Sequence, residues 1–171
     1  MNLTTKNITR TGVLLALTLA IQLLKLPQLV TGIGVNAMLL IAVMTVGVMQ
    51  GGIIGCITPV AALMVGIIKA PMAPAVPFII AANITIVVVF HLLRKKNTYA
   101  ALVAASFAKF ILLFGAIRLI LSSILPPPVL ANAVVAFGIT QFFTAVGGGL
   151  VALAVVPLLQ NYLKEDNNIK A

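Results

Sequence analysis

The chain has 171 residues, 62% of them hydrophobic and only 8% charged, with a formal net charge of +9. Soluble domains carry about 25% charged residues, so the composition excludes a water-soluble globular protein and suits a single integral membrane domain over residues 1–171. No basic and aromatic stretch is long enough to form a nucleic-acid platform, so the charge fits instead the Lys and Arg excess of cytoplasmic membrane-protein loops.

Apolar runs near the roughly 17–25 residues that cross a ~30 Å hydrocarbon core predict an all-α bundle of six transmembrane helices. The first spans about residues 11–26. Its basic start (Lys6, Arg10) and apolar body resemble a signal peptide, but Lys25-Leu26-Pro27-Gln28 carries no small-residue cleavage pattern, so it is read as a membrane helix. A loop over residues 28–32 leads to the second helix, about 33–49. Gln50-Gly51-Gly52 is read as a tight turn into the third, about 52–69. A link with Pro71, Pro74 and Pro77 opens the fourth, about 76–93, and the fifth spans about 99–121. The Pro126-Pro127-Pro128 loop precedes the sixth, about 133–159.

With the N-terminus in the cytoplasm, the inner side holds Lys6, Arg10, Arg94, Lys95, Lys96, Lys164 and Lys170, and the outer side only Lys25 and Lys69. This satisfies the positive-inside rule, and an even number of spans places both termini inside. Tyr99 and Tyr162 then fall at the inner interface. The outer loops hold most of the prolines, together with Gln28, Thr31, Asn36 and Asn132.

The only acidic residues are Glu165 and Asp166, yet Lys109 and Arg118 lie within the fifth apolar run. A cation at a helix centre costs roughly 2.5–3.5 kcal/mol on insertion scales, and the sequence offers no neighbouring carboxylate to offset it. An anion from outside, a lipid headgroup or a small solute, is the simplest partner. Lys109 lies roughly 15 Å into its helix on a face of small and aliphatic residues (Ala101, Ala105, Leu112, Leu113, Ala116). It either contacts the anionic part of a ligand or snorkels and bonds helix carbonyls. Arg118 is nine residues on, half a turn away, and near enough to the outer interface to snorkel. Lys69 ends a stripe of Gly55, Thr58, Ala62 and Gly66 and is either a ligand contact or an interfacial anchor.

Asn36, Asn83 and Gln141 are uncharged polar groups in apolar runs, where an unpaired amide has no water to bond; each lines a pocket or bridges helices. Gln141 shares its face with Thr140, Thr144, Gly147 and Gly148. Pro59, inside the third helix, frees a backbone carbonyl as an added acceptor. Cys56 is expected to be a buried, inert thiol, and His91 an interface residue without the partners a metal site needs. No Walker phosphate loop, catalytic triad, carboxylate pair or metal cluster is present, so the sequence points to neither an enzyme nor a cofactor.

Gly12, Ala16 and Ala20 place a small residue at every fourth position of the first helix, a pattern that permits close helix–helix approach. With its length, its six predicted spans, both termini inside and a polar outer face, the chain resembles the S components of energy-coupling factor (ECF) vitamin transporters. That resemblance implies a micronutrient pocket near the outer side, covered by the loop over residues 26–32. It also implies docking through Gly12, Ala16 and Ala20 onto a transmembrane T component driven by two ATPase subunits. The spare cations favour a carboxylate- or phosphate-bearing substrate over a cationic one such as thiamine. Two other readings are a scaffold subunit of a morphogenesis complex, similar to MreD-like proteins, and a stand-alone facilitator. The first needs no polar pocket, and the second needs a continuous polar path.

Overall fold

The computed structural model describes residues 5–169, with side chains up to Gln160. The expectations for Tyr162, Lys164 and Lys170 lie outside the described side chains. Seven α-helices follow one another: α1 (Thr5–Leu23), α2 (Gln28–Thr45), α3 (Val48–Met64), α4 (Val76–Leu93), α5 (Thr98–Leu119), α6 (Pro127–Phe137) and α7 (Ile139–Ile169). A 3-10 segment, Ala70–Ala75, leads into α4, and a 3-10 turn, Leu121–Ser123, follows α5. The described residues contain no strand. Four segments are long and apolar enough to cross a membrane: Gln28–Thr45, Ala70–Leu93, Thr98–Ser123 and Pro127–Gln160. The apolar α3 is shorter, at 17 residues, and α1 is less apolar because Lys6, Asn7 and Arg10 occupy its first turns.

The helix boundaries correct the sequence reading at three places. Residues 28–32, expected to be a loop, form the first turn of α2. Lys25 ends α1 in a left-handed conformation (φ 49°), and Pro27, in extended geometry, hands the chain to a helix that starts at Gln28. The turn expected at Gln50-Gly51-Gly52 is helical and belongs to α3. The chain reverses instead at Gly47, whose φ of 155° suits glycine. Gly51 serves packing, since a Cβ there would lie 2.7 Å from Val43 and 3.2 Å from the Leu39 carbonyl oxygen.

The sixth helix is also different. It starts at Pro127, where proline's missing N–H costs nothing, and it is interrupted at Gly138. The interruption leaves carbonyls near the end of α6 needing new donors. Thr140 Oγ1 donates to the Val135 carbonyl at 2.8 Å, and Gln141 Nε2 donates to the Ala136 carbonyl at 3.2 Å.

α2 is the central helix. It packs along α7 and also touches α1, α3 and α4, while α5 bridges α4 to α7. α5 begins cleanly because Asn97 Oδ1 accepts from the amides of Tyr99 and Ala100, both at 3.0 Å. Two apolar clusters result. One, around Leu39, Leu40, Val43, Ile54, Ile86, Val87, Phe90 and Leu102, fills the half of the bundle nearer the start of α1. The other, around Leu113, Ile117, Leu121, Ala133 and Phe137, joins α5 to α6 near the opposite end. Lys6, Arg10, Arg94, Lys95 and Lys96 sit toward the first end, and Lys25 and Lys69 in the connections at the other.

Candidate functional site

Between these clusters lies a cavity of about 160 Å³. Its walls come from the end of α1 (Gln22), the start of α2 (Gln28, Thr31, Asn36), the end of α3 (Thr58, Pro59), the start of α4 (Asn83), the middle of α5 (Lys109) and the α6–α7 junction (Gln141). Ile67, Ile68 and Met72 of the α3–α4 connection close part of its rim. Every described helix except the far portion of α7 turns a polar side chain or an end toward it.

Lys109 is its electrostatic centre. The side chain is 3% exposed, and its Nζ donates to Asn36 Oδ1 at 2.7 Å and to Asn83 Oδ1 at 2.9 Å. An ammonium carries three donors, so these two bonds leave one unassigned. Both partners are neutral. Lys109 has no ion pair among the described residues, and the chain's acidic residues, Glu165 and Asp166, come about 24 residues beyond Gln141, roughly 36 Å of helix.

Each asparagine is held in turn by backbone. Asn36 Nδ2 donates to the Gly32 carbonyl at 2.8 Å, one turn earlier in α2. Asn83 Nδ2 donates across to the Gly55 carbonyl of α3 at 3.1 Å. That carbonyl is free because the residue four positions on, which would bond it in a regular helix, is Pro59. Proline thus creates the acceptor that orients Asn83, and Asn83 presents its oxygen to Lys109. The freed acceptor expected from Pro59 is therefore part of the site.

Glycines allow the helices to come this close. A Cβ on Gly55 would lie 3.0 Å from the Asn83 Cβ. One on Gly148 would meet the Asn36 Cβ and the Ile33 oxygen at 2.6 Å and the Ala37 nitrogen at 2.7 Å. The small faces on α3 and α7 are packing surfaces behind the two asparagines.

Of the six residues expected to contact a ligand, Lys109, Asn36, Asn83 and Gln141 line the cavity and Arg118 and Lys69 do not. Arg118 is exposed, its guanidinium 5.4 Å from the centre of the Phe114 ring, on the opposite side of α5 from Lys109. Lys69 is exposed at the entry to the 3-10 segment. Both lie near helix ends, where an interface is within reach of a long side chain.

Gln22 lines the cavity without having been expected there. Its signal was a polar stripe, Thr11, Thr18 and Gln22, at spacings of seven and four; all three are buried. Gly12, Ala16 and Ala20 lie on the other face of α1 and are exposed, with nothing within 4 Å of a Cβ on Gly12. Cys56 is half-buried, not fully buried as expected. His91 is half-buried with an enclosed, unpartnered Nδ1. The described residues contain no group of three or more His, Cys, Asp or Glu able to hold a metal.

Comparison of the chain with family models, with curated proteins and with solved structures finds no match.

Proposed function

We propose that this protein captures a small anionic solute in the cavity at Lys109 and passes it to partner subunits, as the S component of an ECF-type importer does. The observation that carries the reading is a buried lysine at the wall of a cavity, held by two neutral amide oxygens and without an ion pair among the described residues. Burying an ion is costly unless it is paired, and an anionic ligand in the cavity would supply the pairing charge. Positive-inside sidedness puts the cavity toward the exterior and the Arg94-Lys95-Lys96 cluster toward the cytoplasm of a prokaryotic cell.

Below the cavity, Leu39, Leu40, Val43, Ile86, Val87 and Phe90 are packed with at most 1% exposure. This apolar plug favours capture over a stand-alone facilitator, which needs a polar path through the bundle. The cavity itself favours capture over a scaffold. A plugged subunit needs partners to finish transport. The exposed Gly12, Ala16 and Ala20 face of α1 is the surface we assign to a T component, with two ATPases supplying energy.

Native mass spectrometry of the purified protein tests the proposal. A co-purified small anion, present in the wild type and absent from Lys109→Met, is the expected result. Retention of the same anion by Lys109→Met, or lipids as the sole bound anions, would overturn it.

A further inference from the structure

Two connections on the outer side run along the rim of the cavity, and each carries one lysine. Lys25 lies in the α1–α2 turn, midway between the cavity-lining Gln22 and Gln28. Lys69 lies in the α3–α4 connection, directly after Ile68 and before Met72, which also line the cavity. Both side chains are exposed. The chain has no acidic residue before Glu165 to pair with either.

Local structure does not ask for these charges. Lys25 is the one residue other than glycine at positive φ among those described, 49°, a conformation that glycine or asparagine adopts at lower cost. The positive-inside rule also disfavours Lys and Arg in outer connections. Cations thus stand beside the cavity against a backbone preference at one position and a topological preference at both.

Charges of one sign around a cleft with low-dielectric walls focus their field into it and raise the arrival rate of counter-ions. Building on the anion-capture reading, we infer that Lys25 and Lys69 form an electrostatic entrance that draws small anions to the cavity and turns cations away. Lys109 holds the solute, and the rim lysines act through the field without touching it. A field reads charge before shape, so small carboxylates, sulfonates and hydrogen phosphate are all admitted, and the cavity wall selects among them. Arg118 supplies the comparison: it is an outer cation too, but it is exposed on the opposite side of α5 from Lys109 and lines no part of the cavity.

The test reads this field with two charged reagents of known chemistry. In a Cys56→Ser background, Thr31→Cys places a single thiol on the cavity wall. The full chain, in nanodiscs of zwitterionic phosphatidylcholine, is reacted with anionic methanethiosulfonate ethylsulfonate and with its cationic ethyltrimethylammonium counterpart. Each rate is divided by the rate of the same reagent with mercaptoethanol. Taking the anionic-to-cationic ratio then cancels changes in the thiol's own reactivity. A ratio of roughly ten is expected at low salt, compressed as salt screens the field. It should fall several-fold in Lys25→Asn combined with Lys69→Gln, and part-way in each single variant. It should hold in Lys25→Arg combined with Lys69→Arg, and in Arg118→Gln. Size-exclusion elution reports on folding.

A ratio unchanged when both rim charges are removed from a folded protein, or lowered as much by Arg118→Gln, would overturn the inference. If the ratio ignores the rim but drops in Lys109→Met, the entrance fails alone and the capture site stands. If the ratio is near one with every lysine present, or neither reagent reaches the thiol, the anion-capture reading fails and this inference with it.

Discussion

Asn83 is aimed by a proline on another helix. Its Nδ2 donates to the Gly55 carbonyl, which Pro59 leaves without its helical donor, and its Oδ1 then receives Lys109 at 2.9 Å. Pro59→Ala restores the missing N–H, which competes with Asn83 for the Gly55 oxygen. Helical propensity improves, so folding should hold, while anion affinity should fall several-fold as Asn83 loses its anchor. Thermal unfolding and ligand titration on the same sample separate the two effects.

Giving Lys109 an internal counter-charge should cost binding. In Asn83→Asp, a carboxylate replaces a neutral oxygen at 2.9 Å from Nζ. The stronger charge-assisted bond to Lys109 is opposed by loss of the Nδ2 donor to the Gly55 carbonyl at 3.1 Å, so stability should stay within about 1–2 kcal/mol of the wild type. The same carboxylate repels an incoming anion, so affinity should drop by at least about tenfold. A folded variant that still binds the anion as the wild type does would show that Lys109 does not lack a counter-ion.

Lys109→Met removes the cation and keeps the length of the side chain. Replacing a buried charge with an apolar residue is often neutral or stabilising, but here Asn36 and Asn83 lose a donor. The two effects oppose, and stability should stay within about 1–2 kcal/mol of the wild type while anion binding is abolished. Unfolding in detergent, with and without added anion, reads both: the wild type should gain thermal stability with the anion and the variant should not.

Two glycines make a contrasting pair. Gly148→Ala pushes a methyl into the Asn36 Cβ and the backbone of Ile33 and Ala37, all within 2.7 Å, and none of these can swing away. The expected loss is about 1–3 kcal/mol, together with weakened binding as Asn36 shifts. Gly12→Ala meets nothing within 4 Å and should be neutral or stabilising by up to about 1 kcal/mol. Both are read from thermal unfolding.

On the exposed face of α1, Ala16→Leu and Ala20→Leu should leave folding and anion binding unchanged and break co-purification with membrane partners. Intact co-purification in both variants would remove α1 from the docking surface.

Much of the site was legible in the sequence because the bilayer makes polar residues conspicuous. Lys109, Asn36, Asn83 and Gln141 stand alone in apolar runs, where each needs a partner, and they meet around one cavity. Arg118 and Lys69 look similar as letters, but a charge near a helix end reaches an interface without a ligand. Gln22 was hidden by the polar context of Lys25 and Gln28, although Thr11 and Thr18 already marked its face. The helix borders were harder to read because glycine serves two purposes. Gly47 turns the chain and Gly51 packs it, and only the fold distinguishes them. The interruption at Gly138 left no proline or polar run to announce it, and its compensation by Thr140 and Gln141 depends on carbonyls that exist only once the helix has broken.

The solitary charge at Lys109 also bears on voltage. With the ammonium protonated, an empty cavity holds one positive charge deep in the protein, and a bound monoanion cancels it. Displacing one elementary charge across a membrane costs or yields about 2.3 kcal/mol per 100 mV. Any movement that carries Lys109 along the membrane normal is therefore electrically driven when the protein is empty and electrically silent when it is loaded. On the proposed reading, a membrane potential negative inside would pull the vacant site toward the cytoplasm and leave the filled one alone.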